Sequence, residues 1–387
     1  MRFSSRIDVS QPNPIAACEA EAKARGVDLD KLNDSNPTAH GLAPQLLPQV
    51  YRAQPRGQME ARRRLARAIG CPDPERLYLL SSTSQAYAWL MMLLCDPGEA
   101  VLAPKPGSPL IESIARLCGV KTVEYQLQFD GSWYMDIAAL RTILERDGQA
   151  GRHIRALIVI NPNNPTGQYV KPSEREHLIE LCREFGIALI ADEVFFDYAL
   201  EPFEGNRRFA GERRVLTFAL DGFSKRLAAP HAKVGWIEVS GPDDDVREAM
   251  RRLDVIADDF LPMSELIAER MDDMIAELDS QHDRVQERIS RNLESLHRLL
   301  DADDLGVVSV LRAEGGWNVL LRFPSFIDEN ELVTTMIRDN ATSGQPGYFF
   351  DMEANGYLAI SLLPVPDLFD AHVRLVLSAV RHCVEEI

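Results

Sequence analysis

Little in this 387-residue chain points to an oxidising or membrane setting. Its six cysteines, Cys18, Cys71, Cys95, Cys118, Cys182 and Cys383, form no CxxC pair, so neither a disulfide framework nor a metal site is expected. Residues Met1 to Ser10 are polar and lack the apolar core of a secretory signal. The longest tight apolar cluster, Ala86 to Cys95, is too short to span a bilayer and reads as a buried helix. Positive charge is scarce: 42 basic against 59 acidic residues give a formal charge of −17. A surface of that sign repels nucleic acid and anionic lipid, so neither is expected as a partner. What these absences leave is a cytoplasmic globular chain. With 45% hydrophobic residues it can bury a large core and is long enough for two domains.

What is present is alternation, without repeats or low-complexity tracts. The first 34 residues read as mostly helical and polar, and Pro37, Pro44, Pro48 and Pro55 then punctuate an irregular crossing segment. From Leu77 to Val239 short β-rich runs alternate with amphipathic helices, the signature of a parallel sheet covered on both faces. Asp243 to Leu300 has helical spacing of Leu, Ile and Met among many charges and is expected to form a long helix linking two domains. Beyond Val307 strands and helices alternate again. The expected fold is therefore α/β, a large domain with a mostly parallel sheet covered by helices, plus a smaller α+β domain. The boundaries are placed at residues 1–47 for an N-terminal arm, 48–265 for the large domain and 266–387 for the small one.

Four segments could carry chemistry, each directly after an apolar run. Arg76 to Leu80 leads into Ser81-Ser82-Thr83-Ser84-Gln85, which opens a helix over Ala86 to Leu94; free N–H groups at such a start attract phosphate. Arg155 to Ile160 leads into Asn161-Pro162-Asn163-Asn164-Pro165-Thr166-Gly167, Ile187 to Ala191 into Asp192-Glu193, and Val215 to Leu220 into Asp221-Gly222-Phe223-Ser224-Lys225. Taken singly these read as a helix cap, a tight turn, a surface acid and a solvated lysine. Their joint order brings a lysine, an acid and an asparagine to one edge of a parallel sheet, where open α/β folds bind ligands. The chemistry suits pyridoxal 5'-phosphate. Removal of an amine's α-proton needs a carboxylate beside the pyridine nitrogen, as Asp192 could supply. A lysine of lowered pKa, as at Lys225, could move the proton.

The joint pattern resembles the class I/II aminotransferases of fold type I over nearly the whole chain. The matched motifs are Ser82-Thr83-Ser84-Gln85, Asn163-Asn164-Pro165-Thr166-Gly167, Ala191-Asp192-Glu193-Val194, and Ser224-Lys225 followed by Lys233-Val234-Gly235-Trp236. The resemblance implies that Lys225 forms the internal aldimine, that Asp192 keeps the pyridine nitrogen protonated and that Asn164 hydrogen-bonds the ring's 3-oxygen. Thr83, Ser84, Gln85, Ser224 and Lys233 would surround the phosphate. Tyr51 matches a tyrosine that crosses to the neighbouring subunit's phosphate, which implies a homodimer with shared sites. Asn36, in Ser35-Asn36-Pro37-Thr38, matches a loop over the substrate side. The implied reaction moves an amino group from an amino donor to a keto-acid acceptor. A lyase, decarboxylase or cyclase on the same cofactor stays open, since fold does not fix function, and so does a non-catalytic cofactor-binding protein.

Four departures from that pattern bear on the site. Lys233 stands where the family usually has an arginine on the phosphate, keeping the charge but losing the bidentate fork. Ser108 replaces an aromatic that stacks on the ring, and Phe195 replaces a tyrosine that donates to the 3-oxygen. Ala359, in Gly356-Tyr357-Leu358-Ala359-Ile360-Ser361, occupies the place of the arginine that grips the substrate's α-carboxylate. Either Arg312, Arg322 or Lys105 has taken over that carboxylate, or the donor is unusual.

Overall fold

Apolar runs without polar alternation make strands that are buried on both faces, and the middle of this molecule is built from them. The computed structural model describes residues 1–387 apart from 8, 10–13, 28, 30, 31, 33, 46–49, 386 and 387. The large sheet contains β1 (Leu77–Leu80), β2 (Ala100–Lys105), β3 (Lys121–Phe129), β4 (Trp133–Met135), β5 (Ile154–Ile160), β6 (Ala188–Asp192), β7 (Thr217–Gly222) and β8 (Gly235–Ser240). Their order is β1-β8-β7-β6-β5-β2-β3-β4. The run from β7 through β6, β5 and β2 to β3 is parallel, whereas β1, β8 and β4 join antiparallel.

Successive side chains point to opposite faces, and this splits the core in two. Ile158, Ile160, Ile190, Phe218 and Leu220 pack under the helices Thr83–Leu94 and Asp243–Phe260. Leu157, Val159, Leu189 and Ala191 pack under Ile137–Ala150 and Pro172–Phe185. Register then sets the row that matters: Ile160 pairs with Asp192, and Asp192 with Leu220. The chain past those residues emerges at one sheet edge.

The second sheet is antiparallel, β11 (Gln345–Pro346), β12 (Tyr357–Ser361), β10 (Asn318–Arg322) and β9 (Ser309–Val310) in that order. Its core is shared with the helices Leu278–Asp301, Glu329–Asn340 and Pro366–Glu385. The Asn-Pro-Thr-Gly turn docks this part onto the large sheet. Gly167 has φ +70°, and a Cβ there would sit 2.6 Å from the Ala313 methyl, so only glycine lets the segments meet. Its carbonyl accepts from the N–H groups of Glu314 (3.0 Å) and Gly315 (2.9 Å).

Two expectations are corrected. The long helix over Asp243 to Leu300 is broken into Asp243–Phe260, Glu265–Glu269, Met271–Ala276 and Leu278–Asp301. Leu261 turns left-handed at φ 42° ahead of Pro262, which supplies no N–H to continue the ladder. The expectation of a mostly helical N-terminal 34 residues is not met among the described ones, where the helix is confined to Pro14–Ala24. The expected boundary between residues 47 and 48, and Pro48 itself, lie outside the described residues. Among the described residues no helix is long and apolar enough to cross a membrane.

Candidate active site

The parallel strands β5, β6 and β7 deliver Asn164, Asp192 and Lys225 from three adjacent C-terminal ends. Asp192 is the last residue of β6 and is 9% exposed. Its Oδ2 accepts from the Tyr87 hydroxyl at 3.0 Å and its Oδ1 from the Val194 N–H at 3.3 Å. Burial pushes this carboxyl up to about 6, against those two hydrogen bonds and the nearby Lys225 charge. Burial likewise holds the Tyr87 hydroxyl well above the usual phenol range, so it acts as a donor to Asp192.

Lys225 lies in the short helix Phe223–Arg226 that follows β7. Its ammonium stands 5.3 Å from the centre of the Phe195 ring and 5.1 Å from that of Trp317, and the two rings meet edge to face at 5.3 Å. Burial lowers its pKa, with the charge of Asp192 opposing, so more of it is free amine than for a solvated lysine. The backbone beneath is fixed by the Tyr198 hydroxyl, which donates to the Lys225 carbonyl at 2.8 Å. Below that, Asp221 accepts from both Arg208 and Arg226 at 3.1 Å.

At the start of the helix Thr83–Leu94, Ser82 caps by accepting from the Gln85 N–H at 3.2 Å. The Gln85 side chain turns back onto Ser81, whose hydroxyl donates to it at 2.8 Å. Thr83 and Ser84 therefore present their hydroxyls and first-turn N–H groups half-exposed, while Gln85 is committed to the cap. Gly235 backs this turn. A Cβ there would lie 3.1 Å from the Ser82 carbonyl carbon and 3.2 Å from the Thr83 nitrogen, so β8 approaches the cradle only as glycine. Lys233, two residues earlier, is exposed and holds a left-handed φ of 53°. Ser224 is half-buried next to Lys225.

The remaining expected residues are spread more widely. Asn164 accepts from the Asn318 amide at 2.9 Å, a bond that ties the turn after β5 to β10. Tyr51 is 44% exposed, with its backbone N–H on Thr38 Oγ1 at 2.8 Å. The Asn36 amide is engaged in its own turn, accepting from Thr38 and donating to the Tyr51 carbonyl at 2.9 Å. Ser108 is half-exposed, and its hydroxyl accepts from Leu110 N–H at 3.4 Å. Ala359 sits on β12 opposite Leu320 and Gln345. It borders a cleft of about 250 Å3 whose lining, including Asn318, Gln345, Ser361 and His372, contains no lysine, arginine or carboxylate.

None of the three cations offered for a carboxylate is free and buried at that cleft. Arg312 is exposed and paired with Glu201 at 2.7 Å. Arg322, at the far end of β10, is exposed. Lys105 is 2% exposed, but Glu112 and Asp351 both hydrogen-bond its ammonium. Sequence reasoning missed Tyr87, Trp317, Asn318 and Tyr198. Tyr87 could have been found, because four residues after Thr83 it shares that residue's helix face. Asn318 opens β10 of the other sheet and Trp317 directly precedes it, and no local signal marks them.

The two sheets in this arrangement are the fold of the aminotransferases. The chain belongs to the aminotransferase class I and II family, whose model matches residues 52–355; this is a family of pyridoxal 5'-phosphate enzymes. It is 31% identical over 191 residues to a mitochondrial alanine aminotransferase of Arabidopsis thaliana, covering 47% of this chain and 35% of that one. It is 30% identical over 172 residues to the S-alkyl-thiohydroximate lyase of the same plant, covering 44% and 36%. The match thus spans about a third of the length of these curated relatives. In structure it superimposes on the tyrosine aminotransferase of Leishmania infantum with a TM-score of 0.74 at 18% identity, over 96% of this chain and 88% of that one.

Proposed function

We propose that the protein is a pyridoxal phosphate-dependent aminotransferase acting on a small amino donor and a keto acid. The observation that carries this reading is a partly buried lysine of lowered pKa on one strand end, beside a buried carboxylate on the next. The residues present suit the cofactor: first-turn N–H groups with Thr83 and Ser84 for a phosphate, a carboxylate for a pyridinium, and an amine for an aldehyde. When bound, the cofactor supplies a protonated ring that draws in the electron pair left as an amine loses its α-proton. Lys225 is the residue that would hold it, through its amine, and the same amine would take and return the proton at the donor's α-carbon. Asp192, steadied by Tyr87, would hold the ring nitrogen in its charged form. Asn164, oriented by Asn318, would donate to the 3-oxygen, and Phe195 and Trp317 screen the Lys225 amine from water. Ser224 and Lys233 complete the phosphate end, and Ser108 leaves the ring face without an aromatic cover.

Exposed Tyr51 fits a homodimer in which it reaches the partner's phosphate, and Asn36 beside it fits a lid on the substrate side. A cytoplasmic setting belongs to this reading, with the net negative charge as its support. The similarity to a lyase keeps elimination as a second reading on the same machinery. A single half-reaction separates the two. A transaminase given donor alone converts one equivalent of cofactor to its amine form and releases the keto product. Release of a fragment with the cofactor unchanged would establish the lyase instead.

A further inference from the structure

The loop over 205–214, between β6 and β7, carries Arg207, Arg208, Arg213 and Arg214 in a chain of formal charge −17. With Arg175 of the helix Pro172–Phe185 they line a cleft of about 500 Å3, alongside the acids Glu176 and Glu212. The pairing there is lopsided. Arg208 is neutralised from behind by Asp197 at 2.8 Å and Asp221 at 3.1 Å. Arg214 reaches Glu176 at 2.6 Å and Glu212 at 2.9 Å, and Arg175 shares Glu212 at 2.8 Å. Arg207 and Arg213 are exposed, and neither guanidinium has a partner among the described residues. The cleft is left with two more guanidinium groups than carboxylates.

A second observation is independent of that count. Arg175 is 6% exposed, yet its Nε and Nη1 are buried with no hydrogen-bond partner. Its guanidinium lies 4.2 Å from the centre of the Phe209 ring, which fixes its position. Burial lowers its pKa, Glu212 resists, and the like charges of Arg207 and Arg214 add to the lowering. A cation buried with too few acceptors is costly, and an anion at the mouth of the cleft would offset it. The loop is also held in place. The Glu193 carboxylate accepts from the Phe209 N–H at 2.7 Å, and the Glu193 carbonyl from Arg208 at 3.3 Å.

We propose that this cleft binds a small multivalent oxyanion, a metabolite carrying two or more phosphate or carboxylate groups. Guanidinium forks match both groups bidentately, and the volume is that of a small-molecule site. A long nucleic acid would meet the chain's overall negative field, whereas a small anion meets only the local excess.

The test is calorimetric titration of cofactor-saturated protein, in which the cofactor's own phosphate site is filled, with pyrophosphate and with citrate at fixed ionic strength. One saturable site per chain is expected for at least one of them, and the tighter of the two names the phosphate or the carboxylate class. In the double variant Arg207→Ala/Arg213→Ala affinity should fall at least tenfold. Arg247→Ala, which removes an exposed arginine paired with Asp244 elsewhere, should leave it unchanged. Both substitutions in the double variant are on the surface, so an unshifted melting curve will show that it is folded. Absence of saturable binding for both anions, or equal binding by wild type and the double variant, would overturn the proposal.

Discussion

At the strand ends of the large sheet, Asn164, Asp192 and Lys225 follow β5, β6 and β7, each held by a named neighbour: Asn318, Tyr87 and Tyr198. On the small sheet, β12 presents Ala359 beside a cleft whose lining carries no lysine, arginine or carboxylate. One wall keeps the groups that would handle a proton and a ring. The other lacks the charge that would recognise a substrate carboxylate. Under the proposed function the first is the chemical wall and the second the recognition wall, and the neutral amide pair Asn318 on Asn164 is one of the contacts between them. On that reading, catalysis and selectivity should be separable by substitution.

The largest effect should come from Lys225. Replacing it by alanine removes both the covalent anchor and the proton carrier, and turnover should fall by roughly 10³-fold or more. Borohydride reduction followed by peptide mapping should place the cofactor on Lys225 in the wild type. A reducible adduct that persists elsewhere in Lys225→Ala would break the assignment of the chemical wall.

Asp192 should come next. Asp192→Asn loses a charge-assisted hydrogen bond of about 1.5 to 3 kcal/mol, a ten- to two-hundredfold loss in the α-proton step. The same variant tests the burial of this carboxyl without any cofactor. The folded pKa of about 6 lies above the carboxyl's ordinary value of 3.8, so the folded state holds the proton more tightly than the unfolded one. The stability this gives is fully present below about pH 4 and is lost as pH rises through 6. Urea midpoints of the cofactor-free proteins should show wild type losing about 2 to 3 kcal/mol relative to Asp192→Asn between pH 4 and pH 7. A difference that does not vary with pH would mean the carboxyl is solvated.

The contrast between the two walls also marks what the sequence could tell. Apolar runs such as Ile154–Ile160 and Ala188–Asp192 announce buried parallel strands by themselves, and the polar residue at each end is a local signal. Legibility was lost where contacts run between sheets. Trp317 lies 92 residues from Lys225 in sequence, and their elements meet through docking between the sheets, as at Gly167 against Ala313. The break at Leu261 was missed because helical spacing of Leu, Ile and Met resumes on both sides of it, and Pro262 alone was too weak a sign. Lys105 could be named as a candidate cation. Its burial against Glu112 and Asp351 depends on a residue 246 positions away.

The recognition wall makes its own prediction. A buried carboxylate without a charged partner is strongly disfavoured, and the missing fork is worth about 1.5 to 3 kcal/mol. Glutamate, aspartate and alanine should therefore be poor donors at millimolar concentration, and an amine or amino acid with an uncharged group toward Asn318 should be preferred. A donor screen that follows loss of absorbance from the lysine-bound cofactor decides it. Efficient turnover of alanine or glutamate would point to a relocated cation, and alanine changes at Arg312 and Arg322 would then reveal it through a raised KM.

The smallest expected effect sharpens the boundary between the walls. Phe195 lies between them in contact terms: its ring centre is 5.3 Å from the Lys225 ammonium, and the Trp317 ring packs edge to face against it with centres 5.3 Å apart. A phenylalanine there offers no hydrogen bond to the ring's 3-oxygen, so Asn164 is left as the donor proposed for it. Phe195→Tyr adds one hydroxyl at the ring's far end without removing the packing. If that hydroxyl donates to the 3-oxygen, it stabilises the deprotonated form of the lysine-bound cofactor, and the absorbance titration should move to lower pH by about one unit, roughly 1.4 kcal/mol. An upward shift or none would mean that Phe195 faces Trp317 rather than the ring oxygen. In that case the residue belongs to the apolar screen around Lys225, and the chemical wall ends at Asn164.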